Sequence, residues 1–283
     1  MEYGKTCSAE LLLWKYICFN NDKFWRFLTI SNAELTDVDW KKIYAFLQIQ
    51  EAIHLGEEST CRRFVEAVLW VLRSGAQWRL LPPERGRWNS VYRRFRRWGR
   101  HRVWEKMFDF FCHDEDIKKL IGDSTVVRAH ACAAGAPAPG QVFPPPQQLG
   151  RSKGGFSTKI HLLINSHEKP QRVILTPGQA GDAPQIPHLL DQLSPDFGIF
   201  DKAYDTNKVL DYFKIHDITP VIPPKVNRVV QHEYDKEIYK ERNLIERFIG
   251  KIKQFRRVFS RFDKYARTYL HFIHFACVLI SLR

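Results

Sequence analysis

At 283 residues with 44% hydrophobic content, the chain is long enough for one large domain, or for a small and a medium one, around a packed core. The 44 Lys and Arg against 31 Asp and Glu leave a net charge of +13, which favours a polyanionic partner, nucleic acid or an anionic membrane surface, although ribosomal proteins share this property. Six scattered cysteines give no paired C-x-x-C spacing that would suggest a zinc site, and the apolar runs Leu11–Phe19 and Phe272–Leu282 fall short of the ~20 residues of a membrane span; a reduced, cytosolic compartment without signal peptide or membrane anchor is expected.

Residues 1–33 form an aromatic-rich extension (Trp14, Tyr16, Phe24, Trp25, Phe27) of unassigned role, compatible with a short helix docked on the rest. From Glu34 to about Cys112 the pattern is helical. Leu35–Leu47 is amphipathic, and Arg62–Arg73 is apolar almost all round, as in a central buried helix, with Gly75 to end it. After the loop LLPPERGRW, Asn89 or Ser90 is the expected N-cap of a helix whose inner face is Val91, Phe95 and Trp98. The remaining positions are nearly all arginine. Such a helix is stabilised by neutralising phosphates, so Arg93, Arg94, Arg96 and Arg97 are expected to contact DNA; the plainer alternative is a solvated basic face.

Beyond Asp116 the texture changes to short strands alternating with helices. Leu120–Val127 reads as a strand with Asp123 in its interior. A buried carboxylate there needs a partner or a metal, whereas an edge strand or turn would leave it solvated. Ala131–Gly150, rich in Pro, Ala and Gly, reads as an extended or mobile loop. Phe156–Asn165 and Gln171–Thr176 read as a strand pair around SHEKP, Ile186–Leu193 as a short helix and Phe197–Asp201 as a further strand. Asp201 then sits at a strand's carboxyl end, where the ligand crevice of an α/β sheet lies. Asp205 is expected to cap the helix Thr206–Ile215, followed by a last strand Thr219–Ile222 and a terminal helix Lys264–Leu282. His130 and His161 fit either a place near a site or a structural role.

Tyr239–Lys253 reads as one helix with two chemically opposed faces. At ~100° per residue, Tyr239, Arg242, Glu246 and Lys253 fall within roughly 60° of one another, while Leu244, Ile245, Phe248, Ile252, Phe255 and Phe259 cluster opposite. An acid flanked by Arg242, Tyr239 and Lys253 suits binding of a phosphodiester beside a metal ion. The bland alternative is a surface pair between Glu246 and Arg242 at i, i−4.

The spacing Y-(2)-R-(3)-E-(6)-K, with the flanking RNLIERFIGKIKQFRRVFSRFDKYAR, resembles the last acidic block of bacterial insertion-sequence transposases of the DDE type, in the group named after insertion sequence five. DKAYD resembles the second catalytic block, with Ala203 where glycine is frequent, and FVEAVLWVLRSGAQWRLLP resembles the N-terminal helical domain. The resemblance covers about Glu34–Arg283, failing over about Pro137–Pro146. It implies an α/β fold, an RNase H-like mixed sheet flanked by helices, in residues 114–283, preceded by an all-α, helix-turn-helix-like DNA-binding domain in 34–113. It also implies that Asp123, Asp201 and Glu246 are the catalytic acids and hold two Mg²⁺ ions, with Mn²⁺ able to substitute. One ion would activate water or a 3′-hydroxyl and the other would stabilise the leaving oxygen. Lys253 and Arg242 would hold phosphates and Tyr239 would position a strand. The implied partners are double-stranded DNA at the element's ends and target, and further copies of the chain on that DNA, in the bacterial cytoplasm at the nucleoid. Two alternatives stay open: a catalytically decayed transposase acting as a DNA-binding regulator, and an RNase H-like nuclease.

Overall fold

A computed structural model describes residues 35–115, 117–134 and 147–283. The expected N-terminal extension and most of the Pro/Ala/Gly-rich loop, residues 135–146, lie outside the described residues. Four helices open the described chain: α1 (Asp37–Gln48), α2 (Glu58–Ser74), α3 (Trp88–Arg100) and α4 (Val103–Cys112). The Thr36 hydroxyl caps α1 by accepting the Asp39 N–H. In α2, Cys61, Phe64, Val65, Ala67, Val68, Leu69, Val71 and Leu72 are all buried, which covers most of the helix circumference and makes it central. Gly75 stops it in the left-handed conformation, φ 67°, with its N–H on the Val71 carbonyl. α3 starts at Trp88, so Asn89 and Ser90 fall inside its first turn rather than at its cap, and Arg87 at the cap position makes no side-chain bond to the helix.

Six strands follow: β1 (Lys119–Arg128), β2 (Gly150–Ser152), β3 (Gly155–Asn165), β4 (Pro170–Pro177), β5 (Phe197–Ile199) and β6 (Thr219–Val221). β3 lies antiparallel to β1 on one side; on its other side it pairs antiparallel with β2 through Gly155–Ser157 and then with β4 from Thr158 onward. β5 runs parallel to β1, and β6 parallel to β5. The order β4–β3–β1–β5–β6, three antiparallel strands continued by two parallel ones, is the mixed sheet of the RNase H-like fold.

Alternation along the strands divides the apolar residues between the two faces. Ile121, Val127, Ile160, Leu162 and Ile164 join one cluster with α2, α4, α8 (Asn243–Lys253) and α10 (Ala266–Ser281). Leu120 and Leu163 join the other, with α5 (Ile186–Leu189), α6 (Asn207–Ile215), Phe200 and Tyr204. The first cluster runs without a break from the N-terminal helices into the sheet, so both share one core. α7 (Lys236–Tyr239), a 3₁₀ turn at Lys240–Arg242 and α8 form the expected helical run, tightened for one turn at its middle.

Two local expectations are corrected. Phe255 is extended (φ −79°, ψ 109°) and breaks the helix before α9 (Arg256–Phe259), so Phe259 loses phase with the apolar face and is exposed. The cap of α6 is Thr206, whose hydroxyl accepts the Val209 N–H; Asp205 is buried and pairs instead with Arg228 at 2.6 Å and the Lys225 N–H at 2.7 Å. Among the described residues no helix is long and apolar enough to cross a membrane.

Candidate active site

Asp123 lies in the middle of β1, opposite Leu162 of β3, and alternation puts it on the same sheet face as Ile121 and Val127, toward α8. Before it stands Gly122, where an added Cβ would lie 2.1 Å from the Phe200 ring; the glycine lets that ring close against β1. The Ser124 N–H donates to Asp123 Oδ1 at 2.7 Å. Burial raises the Asp123 carboxyl above its usual range, against the lowering pull of that N–H and of Arg242, and the charges of Asp201 and Glu246 raise it further.

Asp201 reaches the same place by strand register. Ile121 of β1 pairs with Ile199 of the parallel β5, and each aspartate follows two residues later in the same direction. Asp201 begins a 3₁₀ turn, accepting the Ala203 N–H at 2.8 Å on Oδ1. Glu246 comes from α8, whose buried Ile245, Phe248 and Ile252 hold it on the sheet. Lys119 Nζ, at the start of β1, holds the preceding turn through Glu241 Oε1 at 2.5 Å.

Arg242 joins these elements. One of its terminal nitrogens donates to Glu246 and the other to Asp123 Oδ2 at 3.3 Å, while its Nε is buried with no partner among the described residues. The surface pair with Glu246 is therefore present, and the same guanidinium extends it into the sheet. Tyr239, half-buried with its ring edge-on to Tyr234 at 5.4 Å, belongs to this neighbourhood: burial raises its hydroxyl, Arg242 opposes the rise and Asp201 adds to it. Lys253 ends α8, partly exposed.

Three carboxylates are hard oxygen donors and in chemistry suit a divalent cation. Among the described residues, however, no three His, Cys, Asp or Glu side chains stand close enough to hold one ion as placed. In this arrangement the positive charge between Asp123 and Glu246 is the Arg242 guanidinium.

On α3 the four arginines part company. Arg93, Arg96 and Arg97 are exposed and, with Arg100, Asn89 and Tyr92, line a surface hollow of about 490 Å³. Arg94 turns inward, donates to the Leu55 carbonyl at 2.9 Å and lies 4.5 Å over the Phe64 ring, so, partly buried, it braces the helices from within. His161 is fully buried in β3, and burial lowers it to about 4, which leaves it neutral. His130 stands against Cys132 and Phe262. No sequence motif singles out Asp182, yet it is brought against Ser124 in β1; its only signal is an acid at the end of the Gly-rich turn PGQAGD.

A family model described as a putative transposase of the IS4/5 family matches residues 35–108, and one described as a transposase DDE domain matches residues 115–280. The uncharacterized protein y4sN of Sinorhizobium fredii is 38% identical over 102 residues, 36% of this chain and 82% of its own length. A putative transposase for insertion sequence element IS6501 of Brucella ovis is 36% identical over 131 residues, 45% of this chain and 100% of its own length. Another for IS402 of Burkholderia cepacia is 25% identical over 147 residues, 48% of this chain and 66% of its own. With the DDE domain matched over more than half its length and laid on an RNase H-like sheet, the chain belongs to the DDE transposases of insertion sequences.

Proposed function

We propose that this transposase cuts DNA at the ends of its insertion sequence and joins the cut strand to target DNA, with Asp123, Asp201 and Glu246 as its catalytic carboxylates. One observation carries the reading: acids from the middle of β1, from just beyond β5 and from α8 lie in one electrostatic neighbourhood, two of them, Asp123 and Glu246, tied together by Arg242. The three would hold two Mg²⁺ ions, with Mn²⁺ as a substitute. Bound there, the ions supply Lewis acidity for the attacking and leaving oxygens of an in-line displacement. The chain's part is to carry the acids on a paired strand, just beyond a second strand and on a packed helix, which limits how far each must move to reach an ion. Arg242 balances their repulsion and, with Lys253, presents positive charge to phosphates; Tyr239 positions a strand nearby.

Residues 34–113 serve in this reading as the DNA-binding region, with Arg93, Arg96 and Arg97 on phosphates of double-stranded DNA and Arg94 as internal support. Several copies act together on the element's ends, at the nucleoid in the bacterial cytoplasm. The test is incubation of the full chain with labelled DNA carrying those ends. Nicking and strand joining that need Mg²⁺ and stop with a chelator are expected. Metal-independent binding without cleavage would mark a DNA-binding regulator instead, and cleavage confined to RNA–DNA hybrids a nuclease.

A further inference from the structure

On the opposite sheet face from Asp123 lies a second polar cluster. Ser124 and His161 are register partners on β1 and β3, and Lys159 stands two residues from His161 on the same face. Asp182, beyond the end of β4, closes the cluster. It occupies the cap position of the 3₁₀ turn Ala183–Gln185, yet its carboxylate makes no bond to that turn. Instead Oδ1 accepts the Ser124 hydroxyl at 2.7 Å and Lys159 Nζ at 2.9 Å, with His161 Nδ1 at 3.7 Å, beyond hydrogen-bond reach. Lys159 is further held by the Ala180 carbonyl at 2.7 Å, and His161 Nε2 by the Thr176 hydroxyl at 2.8 Å.

The link to the acids runs through Ser124. Its hydroxyl is fixed by Asp182 and its N–H is spent on Asp123 Oδ1, so one residue joins the two carboxylates across the sheet. Lys159 and Asp182 are also largely shielded, at 11% and 20% side-chain exposure, so their pairing is screened less than a surface pair and holds the β4 turn firmly to β1 and β3. The buried Tyr204 hydroxyl lies in the field of Asp182, Asp123 and Asp201 together, which puts all three in one locality.

We infer that Asp182 is a positioning residue for the acid centre, acting through the Ser124 hydroxyl to hold the β1 segment that carries Asp123. This rests on the reading of Asp123 as a metal-binding carboxylate. An outer residue that orients a ligand through a hydrogen bond typically changes metal affinity or activity by ~10–100-fold when removed. The experiment measures Mn²⁺ affinity of the full chain by electron paramagnetic resonance, alongside single-turnover nicking, DNA gel-shift and melting temperature.

Asp182→Ala and Ser124→Ala are each expected to weaken Mn²⁺ binding and slow nicking by ~10–100-fold while DNA binding persists. Asp182→Asn, which keeps an acceptor for the serine, should lose less, and the Asp182→Ala, Ser124→Ala double variant should be scarcely worse than either single one. Asp123→Asn fixes the reference by removing tight Mn²⁺ binding. If it does so while Ser124→Ala and Asp182→Ala keep wild-type affinity and rate, the inference fails alone. Mn²⁺ affinity indifferent to Asp123→Asn would overturn the reading of the centre and this inference with it. Should Asp182→Ala not fold, Ser124→Ala, a loss of one hydroxyl, decides.

Discussion

Asp123 carries its charge against the preference of its surroundings, because burial and two neighbouring acids favour the protonated form. Its folded pKa lies above the unfolded one, so the folded state holds the proton more tightly and stability falls as pH rises through the window between them. Asp123→Asn, which removes the charge and keeps the shape, is therefore expected to melt at the same temperature or higher at neutral pH while losing DNA cleavage. Melting curves at pH 7 check this, and a large fall would mean that Asp123 is a structural ion-pair partner. At this scale the sequence was informative where the backbone decides. The place of Asp201 near a strand's carboxyl end was legible, since it follows the short apolar run of β5 by two residues. Arg94 was not legible: among neighbouring arginines, only the Leu55 carbonyl and the Phe64 ring, distant in sequence, select the one that turns inward.

Helix α3 separates these two kinds of arginine on one element. Replacing Arg93, Arg96 and Arg97 with Ala is expected to leave folding intact and to flatten the salt dependence of binding to end DNA, by roughly 0.9 log-log slope units for each phosphate no longer neutralised. Arg94→Ala should leave that slope alone and lower stability by ~1–3 kcal/mol, since the Leu55 carbonyl is deprived of its charged donor. Fluorescence titrations against salt, paired with urea melts, separate the outcomes; a wild-type slope in the triple variant would remove α3 from the interface. Element type was legible over most of the chain, because β1, β3, β4, α2 and α10 carry long apolar patterns that period alone distinguishes. Their ends were not. Phe255 and Phe259 continue the heptad-like spacing of α8, and only the extended backbone at Phe255 takes Phe259 out to solvent. β2, three residues long, has too little pattern to be seen, and its existence depends on pairing with β3.

For the molecule as a whole, one apolar cluster joins the N-terminal helices to the sheet, with α10 between them bearing buried His271 and His274. Composition could not reveal this, because an all-round apolar helix fits a separate helical domain as well as a shared core. Burial lowers His161 and His274 to about 4 and His271 to about 3, so the unfolded chain binds protons that the folded one refuses. Their contribution to stability is complete above the unfolded value near ~6.5 and is lost as pH falls toward about 4. Urea melts between these limits should show stability declining with acid, and His274→Gln should reduce the slope; a flat profile would contradict neutral burial.

The order of strands and helices followed from the sequence, but the nearness of Asp201 and Glu246 to Asp123 is a property of the folded sheet, through the register of β1 with β5 and the seat of α8. The most direct measurement is Mg²⁺-dependent nicking and strand transfer by Glu246→Gln on DNA carrying the element's ends, with a gel-shift on the same preparation. Glutamine keeps the shape and an acceptor for Arg242 but removes the negative charge, so a folded protein that binds DNA as the wild type does and scarcely cuts it is expected. Cleavage at wild-type levels by that protein would contradict the account, leaving Glu246 as no more than Arg242's partner on a helix surface, a pair worth at most about 1 kcal/mol.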